Sequence, residues 1–139
     1  MTQTIQDVMT KNPVTLSGDS TATEAARKMR EADIGPVLVV DDDNIHGIVT
    51  DRDIVIRVVA EGRDPATTSL ESICSDELLT LEPDSPVGAA IAMMKEKAIR
   101  RVPVVKDGHP VGIVSLGDLA AEREPKSALG KISEAPPNK

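Results

Sequence analysis

Read against itself at an offset of 65 residues, the chain repeats: GIVTDRDI at Gly47–Ile54 returns as GIVSLGDL at Gly112–Leu119. The match runs back toward the N-terminus without a gap. Thr15, Leu16, Asp19, Ser20, Ala25, Met29, Glu31, Ile34, Val37, Val39 and Val40 meet the same residue at Thr80, Leu81, Asp84, Ser85, Ala90, Met94, Glu96, Ile99, Val102, Val104 and Val105. A period this long, present only twice, does not build a solenoid, which stacks about three or more shorter units. It predicts two copies of one supersecondary unit that bury their apolar faces against each other. The cleft between the copies is where a binding site is expected.

At 139 residues the chain has the length of one compact module. Its formal net charge of −7 argues against a nucleic-acid backbone as partner, because that role needs a basic face. No apolar run approaches the ~18 residues of a membrane span, and the polar start Met1–Asp7 lacks the basic and apolar regions of a signal peptide. One cysteine, Cys74, excludes an internal disulfide and fits a reducing compartment, so the expected location is the cytoplasm. Phe, Tyr and Trp are absent altogether. The core must then be built from Val, Ile, Leu, Met and Ala, and a bound base would forgo the ~1–3 kcal/mol of an aromatic stack.

Each repeat reads as strand–helix–strand–strand–helix. In the first, Pro13–Leu16 is extended and Gly18–Ser20 is a turn. Thr21-Ala22-Thr23-Glu24 has the spacing of a capping box. Ala22, Ala25, Ala26, Met29 and Ala32 recur at helical spacing, and Gly35-Pro36 is expected to stop that helix. Val37–Val40 and Ile45–Thr50 form a hairpin around the polar turn Asp41–Asn44, and a second helix is expected from about Arg52 to Glu61, ended by Gly62. In the second repeat Pro86 is expected at the first helical position. Val87, Ala90, Ile91 and Met94 form the stripe, Val102–Val105 and Val111–Ser115 the hairpin, and Asp118–Glu122 the start of the last helix. The repeats divide as residues 1–62 and 63–122, with Gly62–Ser69 as linker. Residues 123–139 form a tail with a short helix expected at Lys126–Ile132.

The phrase Asp7-Val8-Met9-Thr10, the apolar-Pro strand Arg101-Val102-Pro103-Val104-Val105 and the ending Gly-Ile-Val-[Thr/Ser]-x-x-Asp resemble the signature of the CBS domain, named after cystathionine β-synthase. The similarity covers about residues 4–122, and the chain resembles small stand-alone CBS pairs of the actinobacterial hypoxic-response type. The resemblance implies an α+β fold of two β-α-β-β-α repeats related by a pseudo-twofold axis, with sheets packed together and two interdomain clefts (a Bateman module). It implies a regulatory or sensor module and not an enzyme. No cofactor is required, and the possible ligand is adenosyl: AMP, ADP, ATP or S-adenosylmethionine. It also implies a homodimer acting on a further, unidentified protein partner. The alternative is a ligand-free protein–protein interaction module.

The resemblance directs attention to Thr50-x-x-Asp53 and Ser115-x-x-Asp118. In each, a hydroxyl ends a strand and a carboxylate lies in the first turn of the next helix, so both are expected to face one cleft. The carboxylate can accept two hydrogen bonds from the vicinal hydroxyls of a ribose, and the hydroxyl can meet a phosphate. Arg52, Arg100 or Arg101 would clamp the phosphate. Arg101 matches the basic position of nucleotide-sensing relatives, whereas repeat one has Gly35-Pro36 there. Leu116-Gly117 replaces Asp51-Arg52 and removes a phosphate contact from the second motif. Ile34, Val37, Ile99 and Val102 are the expected walls for the base.

Each of these residues also has a plainer role. Asp53 and Asp118 can cap a helix, worth roughly 0.5–1 kcal/mol without any ligand. Asp41-Asp42-Asp43 reads as a solvated turn, and His46 and His109 lie at hairpin ends without metal-ligand spacing. Cys74 aligns with Met9 and reads as an apolar contact. No Ser–His–Asp arrangement, Walker-type loop or paired-carboxylate spacing is present.

Overall fold

Helix stops in this chain are set by left-handed residues, not by proline. In the computed structural model, which describes residues 3–75 and 78–123, the first long helix, α2 (Ala22–Ala32), ends on Asp33 at φ 60°. The equivalent α4 (Val87–Lys97) ends on Ala98 at φ 54°. In both, the left-handed residue and the next one donate to the same carbonyl: Asp33 and Ile34 to Met29 O, Ala98 and Ile99 to Met94 O. This closes the helix end. Repeat two has Arg100-Arg101 where repeat one has Gly35-Pro36, yet it stops at the same place. At the other end, Thr21 Oγ accepts the Glu24 N–H at 3.2 Å, the hydroxyl half of the expected capping box. Pro86 stands at the N-cap of α4, one residue before the first helical position, with extended backbone (ψ 149°). The buried stripes are narrower than the sequence pattern: Ala22, Ala25 and Met29 in α2, and Val87, Ala90 and Met94 in α4. Ala26, Ala32 and Ile91 face solvent.

Each helix leads into a hairpin. Strands β3 (Pro36–Asp41) and β4 (Asn44–Thr50) pair antiparallel around Asp42 (φ 51°) and Asp43 (φ 68°). Strands β5 (Arg101–Lys106) and β6 (His109–Ser115) do the same around Asp107 (φ 52°) and Gly108 (φ 84°). Two residues at positive φ make the turn that matches strand twist, and Asp and Gly are the residues that tolerate it. The acidic run is therefore explained by turn geometry. A bulge falls at Val39/Val40 and again at Val104/Val105. Val37, Val39 and Val49, like Val102, Val104 and Val114, are wholly buried, while Val40, Ile48 and Val105 are half-buried.

Two compact units result, Val14–Leu78 and Met1–Pro13 with the chain from Leu79 onward. The lead segment of each repeat thus lies in the unit that holds the other repeat's helix and hairpin. Helix α1 (Ile5–Val8) sends Ile5 N–H to Ser85 O and Gln6 N–H to Pro83 O. At the same offset, Leu70 N–H bonds Ser20 O and Glu71 N–H bonds Gly18 O. Ile5 packs with Val87, Ala90, Val102, Val104 and Leu119, and Leu70, Ile73 and Cys74 pack with Ala22, Ala25, Val37 and Val49.

The sheets reflect the same exchange. Strand β1 (Thr10–Lys11) adds antiparallel to β6, giving the order β1-β6-β5. Strand β2 (Thr15–Ser17) adds parallel to β3, giving β2-β3-β4. The counterpart of β2 shrinks to one bridge, Leu81 with Val104. The linker is docked as well: Thr68 O accepts Ala22 N–H at 2.9 Å and Pro65 O accepts Thr23 N–H at 3.1 Å.

The helix after β4 departs from expectation. Helix α3 covers only Asp51–Ile54, and Val55–Val59 continue as π-helix, with Ala60 N–H on Val55 O and Arg63 N–H on Val58 O. Four β-branched residues among these five (Val55, Ile56, Val58, Val59) crowd a regular α-turn, and the wider register relieves them. The last helix, α5, starts at Leu116 and runs to Arg123. The tail helix expected at Lys126–Ile132 lies outside the described residues.

Candidate functional site

Both motifs form where a strand hands over to a helix, and both are capped by their own carboxylate. Thr50 ends β4 and is the N-cap of α3. Its hydroxyl accepts the Asp53 N–H at 3.2 Å and donates to Asp53 Oδ2 at 3.1 Å, while its N–H donates to the same Oδ2 at 2.8 Å. Asp51 Oδ1 accepts the Arg52 N–H at 2.9 Å, and Asp51 N–H bonds Gly35 O at 3.0 Å. The first three N–H groups of α3 are thus satisfied within the unit. Because the Thr50 proton is held by Asp53, Thr50 offers a ligand only an acceptor. Asp53 Oδ1 faces Arg57 Nε at 3.9 Å, with a quarter of the Asp53 side chain exposed.

The second motif is more open. Ser115 N–H donates to Asp118 Oδ2 at 2.9 Å and Asp118 N–H to Ser115 Oγ at 3.0 Å. Leu116 N–H bonds Arg100 O at 2.8 Å. The Ser115 hydroxyl proton and Asp118 Oδ1 have no partner within the motif. Arg101 is the direct cross-strand partner of Ser115, so the two share a face with Cβ atoms ~4.5–5.5 Å apart. In repeat one the corresponding pair is Pro36 with Thr50. The structure therefore gathers Arg101, Ser115 and Asp118 at one end of the β5–β6 hairpin. Arg52 lies on the exposed first turn of α3, and Arg100 is exposed before β5. Replacing Asp51-Arg52 by Leu116-Gly117 removes an arginine from the second motif and also removes the carboxylate that closes the first helix start.

The four expected wall residues divide into two kinds. Val37 and Val102 are wholly buried in the cores of their own units, which occupy their side chains. Ile34 and Ile99 are half-buried at the helix ends and remain available. Arg57 was not singled out from the sequence. Its position four residues after Asp53 was the signal, since such pairs share a helix face. Asp51 was likewise legible as a first-turn carboxylate.

An open pocket of about 470 Å³ lies at the opposite end of β4 from Thr50, lined by Asp19, Asp41, Asp42, Asp43, His46 and Glu71 among others. Its acidic lining repels the phosphates the motifs were expected to meet. Among the described residues no group of His, Cys, Asp or Glu has the arrangement of a metal site. Cys74 is buried, its thiol facing Glu71 O at 3.6 Å. No helix among the described residues is long and apolar enough to cross a membrane.

The sequence matches the CBS domain family twice, over residues 5–60 and 70–124. It is 36% identical over 126 residues to the CBS domain-containing protein YhcV of Bacillus subtilis, spanning 91% of this chain and 89% of that protein. Over 118 residues it is 37% identical to Hypoxic response protein 1 of Mycobacterium tuberculosis, spanning 84% and 82% of the two. The crystal structure of Hypoxic Response Protein I with two coordinated zinc ions matches at a TM-score of 0.77 and 36% identity, covering 86% of this chain and 98% of that one. The CBS domain pair of MJ0100, in complex with 5′-methylthioadenosine and S-adenosyl-L-methionine, matches at 0.81 and 27% identity, covering 91% and 100%.

Proposed function

This chain belongs to the CBS-domain family as a tandem regulatory pair, and from that premise we propose that it senses an adenosyl ligand and acts by binding, not by catalysis. One observation carries the reading: after capping its helix, Asp118 keeps Oδ1, Ser115 keeps its hydroxyl proton, and Arg101 stands across the strand pair from Ser115. These are an acceptor for ribose hydroxyls, a neutral donor and a cation, the three groups that a nucleoside phosphate requires. That the related MJ0100 pair holds two adenosyl compounds supports the class.

In this reading Asp118 and Asp53 accept the ribose hydroxyls of AMP, ADP, ATP or S-adenosylmethionine. Arg101 neutralises a phosphate, Ser115 donates to it, and Thr50 accepts from its water. Within its own unit, Ile34 walls a base at the first motif, where Arg52 adds positive charge, and Ile99 does so at the second. The net charge of −7 opposes highly charged ligands, which favours AMP or ADP over free ATP. Binding that stabilises one conformation over another changes the surface shown to a partner protein. The chain's single cysteine suits a reducing compartment, and the reading places its action in the cytoplasm.

Calorimetric titration with AMP, ADP, ATP and S-adenosylmethionine tests the proposal. Saturable heat that Asp118→Ala weakens supports it. No heat at millimolar ligand ends the ligand reading and leaves an interaction module. That second reading has its own support in the exposed Val55, Ile56 and Val59 on the π-helical segment.

A further inference from the structure

Arg57 touches two parts of the Val14–Leu78 unit that are far apart in sequence. Its Nε faces Asp53 Oδ1 at 3.9 Å, and its Nη1 donates to Ile73 O at 2.8 Å. Asp53 is the carboxylate of the first motif, and its other oxygen is already held by Thr50. Ile73 belongs to the exchanged lead segment, which enters this unit through Leu70 N–H on Ser20 O and Glu71 N–H on Gly18 O. Past Ile73, Cys74 N–H bonds Leu70 O at 2.9 Å and Ser75 N–H reaches Ile48 O at 3.5 Å. The guanidinium is one rigid plane, so moving one of these nitrogens moves the other. Repeat two has an acid, Glu122, at the position of Arg57.

We propose that Asp53, Arg57 and the Ile73 carbonyl form a clasp that transmits the state of the first motif to the exchanged segment Leu70–Ser75. The inference rests on the ligand reading above for what occupies Asp53, but the clasp itself is a property of the free protein. In the free protein Thr50 holds only Oδ2 of Asp53, the 3.9 Å approach of Arg57 to Oδ1 is weak, and the segment opens locally more often. Ligand hydroxyls on Oδ1 fix the carboxylate, the carboxylate holds Arg57, and Arg57 keeps the segment closed. Cys74, buried and next to Ile73, is a built-in reporter of that opening.

The test measures modification of Cys74 by a disulfide reagent (5,5′-dithiobis-nitrobenzoate) in the wild type, Arg57→Gln, Asp53→Asn and the double variant, at a temperature where circular dichroism shows all four folded. Arg57→Gln is expected to react roughly tenfold to a hundredfold faster, as loss of a hydrogen bond from a charged group implies, and Asp53→Asn, which removes only a 3.9 Å pair on a half-exposed arginine, about twofold to fivefold faster. The double variant is expected to react no faster than the quicker single one. Arg57→Lys, which keeps the charge but not the planar fork, is expected to fall between wild type and Arg57→Gln. Additive effects, or an unchanged rate in Arg57→Gln, overturn the clasp whether or not any ligand binds. Where calorimetry detects AMP or S-adenosylmethionine binding that Asp53→Asn weakens, the ligand is expected to slow Cys74 modification in the wild type. In Arg57→Gln, brought to saturation, it is expected not to. Equal protection in both overturns the proposal, because protection would then come from global stabilisation alone. If no ligand binds, the ligand reading fails and the ligand-free rates alone decide the clasp.

Discussion

Gly47 and Cys74 meet so closely that a methyl group between them would have to push its neighbours aside. A Cβ on Gly47 would stand 3.0 Å from Cys74 Sγ and 3.2 Å from Ser75 O. The approach is close because the exchanged segment of repeat two crosses β4 where the hairpin is bulged, opposite Val39. Gly112 stands in the same relation to Met9: a Cβ there would run into Met9 Sδ and lie 2.9 Å from Thr10 O. The glycine shared by both GIV phrases thus serves the crossing of the lead segments.

Gly47→Ala is therefore expected to destabilise the protein by about 1–3 kcal/mol, as overpacking does. Gly112→Ala should cost more, because the Thr10 carbonyl is backbone and cannot swing aside as a side chain can. Urea midpoints of the two variants check this. An unchanged midpoint for Gly112→Ala would show that the segment before β1 does not hold the position described.

Much of this was legible in advance. The 65-residue repeat foretold a helix, a hairpin and a further helix in each half, though not α1 or β1, and Val39, Val49, Val104 and Val114 are buried as apolar runs bounded by turns suggest. The alignment of Cys74 with Met9 marked Cys74 as an apolar contact, and it is buried, but that both residues pack against a glycine was not visible. The exchange of lead segments was not legible, because Ile5–Thr10 and Leu70–Ser75 have the same pattern and either could pack on either repeat. The π-register after Ile54 was also hidden: the apolar spacing fits a helix of either kind. At the site, the spacing of Thr50 with Asp53 and of Ser115 with Asp118 was visible, but not that Thr50 would give its proton to Asp53 while Ser115 kept its own.

Val104→Ala should cost roughly 1–3 kcal/mol, since the side chain is wholly buried between α4 and its sheet and a cavity there collapses only partly. Val105→Ala, on the half-buried position across the bulge, should cost less. Equal losses in denaturant midpoint would mean that the two faces of β5 are not distinguished as the structure has them.

Ala98 sits at φ 54°, where a Cβ is strained by roughly 1 kcal/mol. Replacing it with glycine removes that strain at some cost in chain entropy. Ala98→Gly is expected to raise the melting temperature by a few degrees, the shift that about 0.5 kcal/mol gives in a chain of this size. A lower melting temperature would show that the helix does not end on a left-handed residue.

Asp118 has two roles that substitution can separate. Asp118→Asn keeps a neutral acceptor for the Ser115 N–H, while Asp118→Ala removes it and should cost about 0.5–2 kcal/mol as a lost cap. Loss of a charged acceptor should weaken adenosyl-ligand affinity tenfold to a hundredfold in both variants. Thermal melts read the first effect and calorimetry the second. Affinity lost only in proportion to stability would reduce Asp118 to a helix cap.

The π-helical segment leaves Val55 58%, Ile56 43% and Val59 63% exposed, and Leu116 at the start of α5 is 43% exposed. Aliphatic side chains this open, adjacent along one short segment, are expected to be covered by a partner surface. The expected assembly is a twofold homodimer, with a mass twice the 14.7 kDa of the chain in light scattering at micromolar concentration. In a twofold interface each substitution enters twice, so the pair Val55→Glu and Val59→Glu should weaken dimerisation by roughly a hundredfold or more. The variant should then run as a monomer with unchanged circular dichroism, because neither side chain belongs to the buried core. A wild-type chain that is already monomeric at that concentration rules the dimer out, and the exposed valines would then await a different protein.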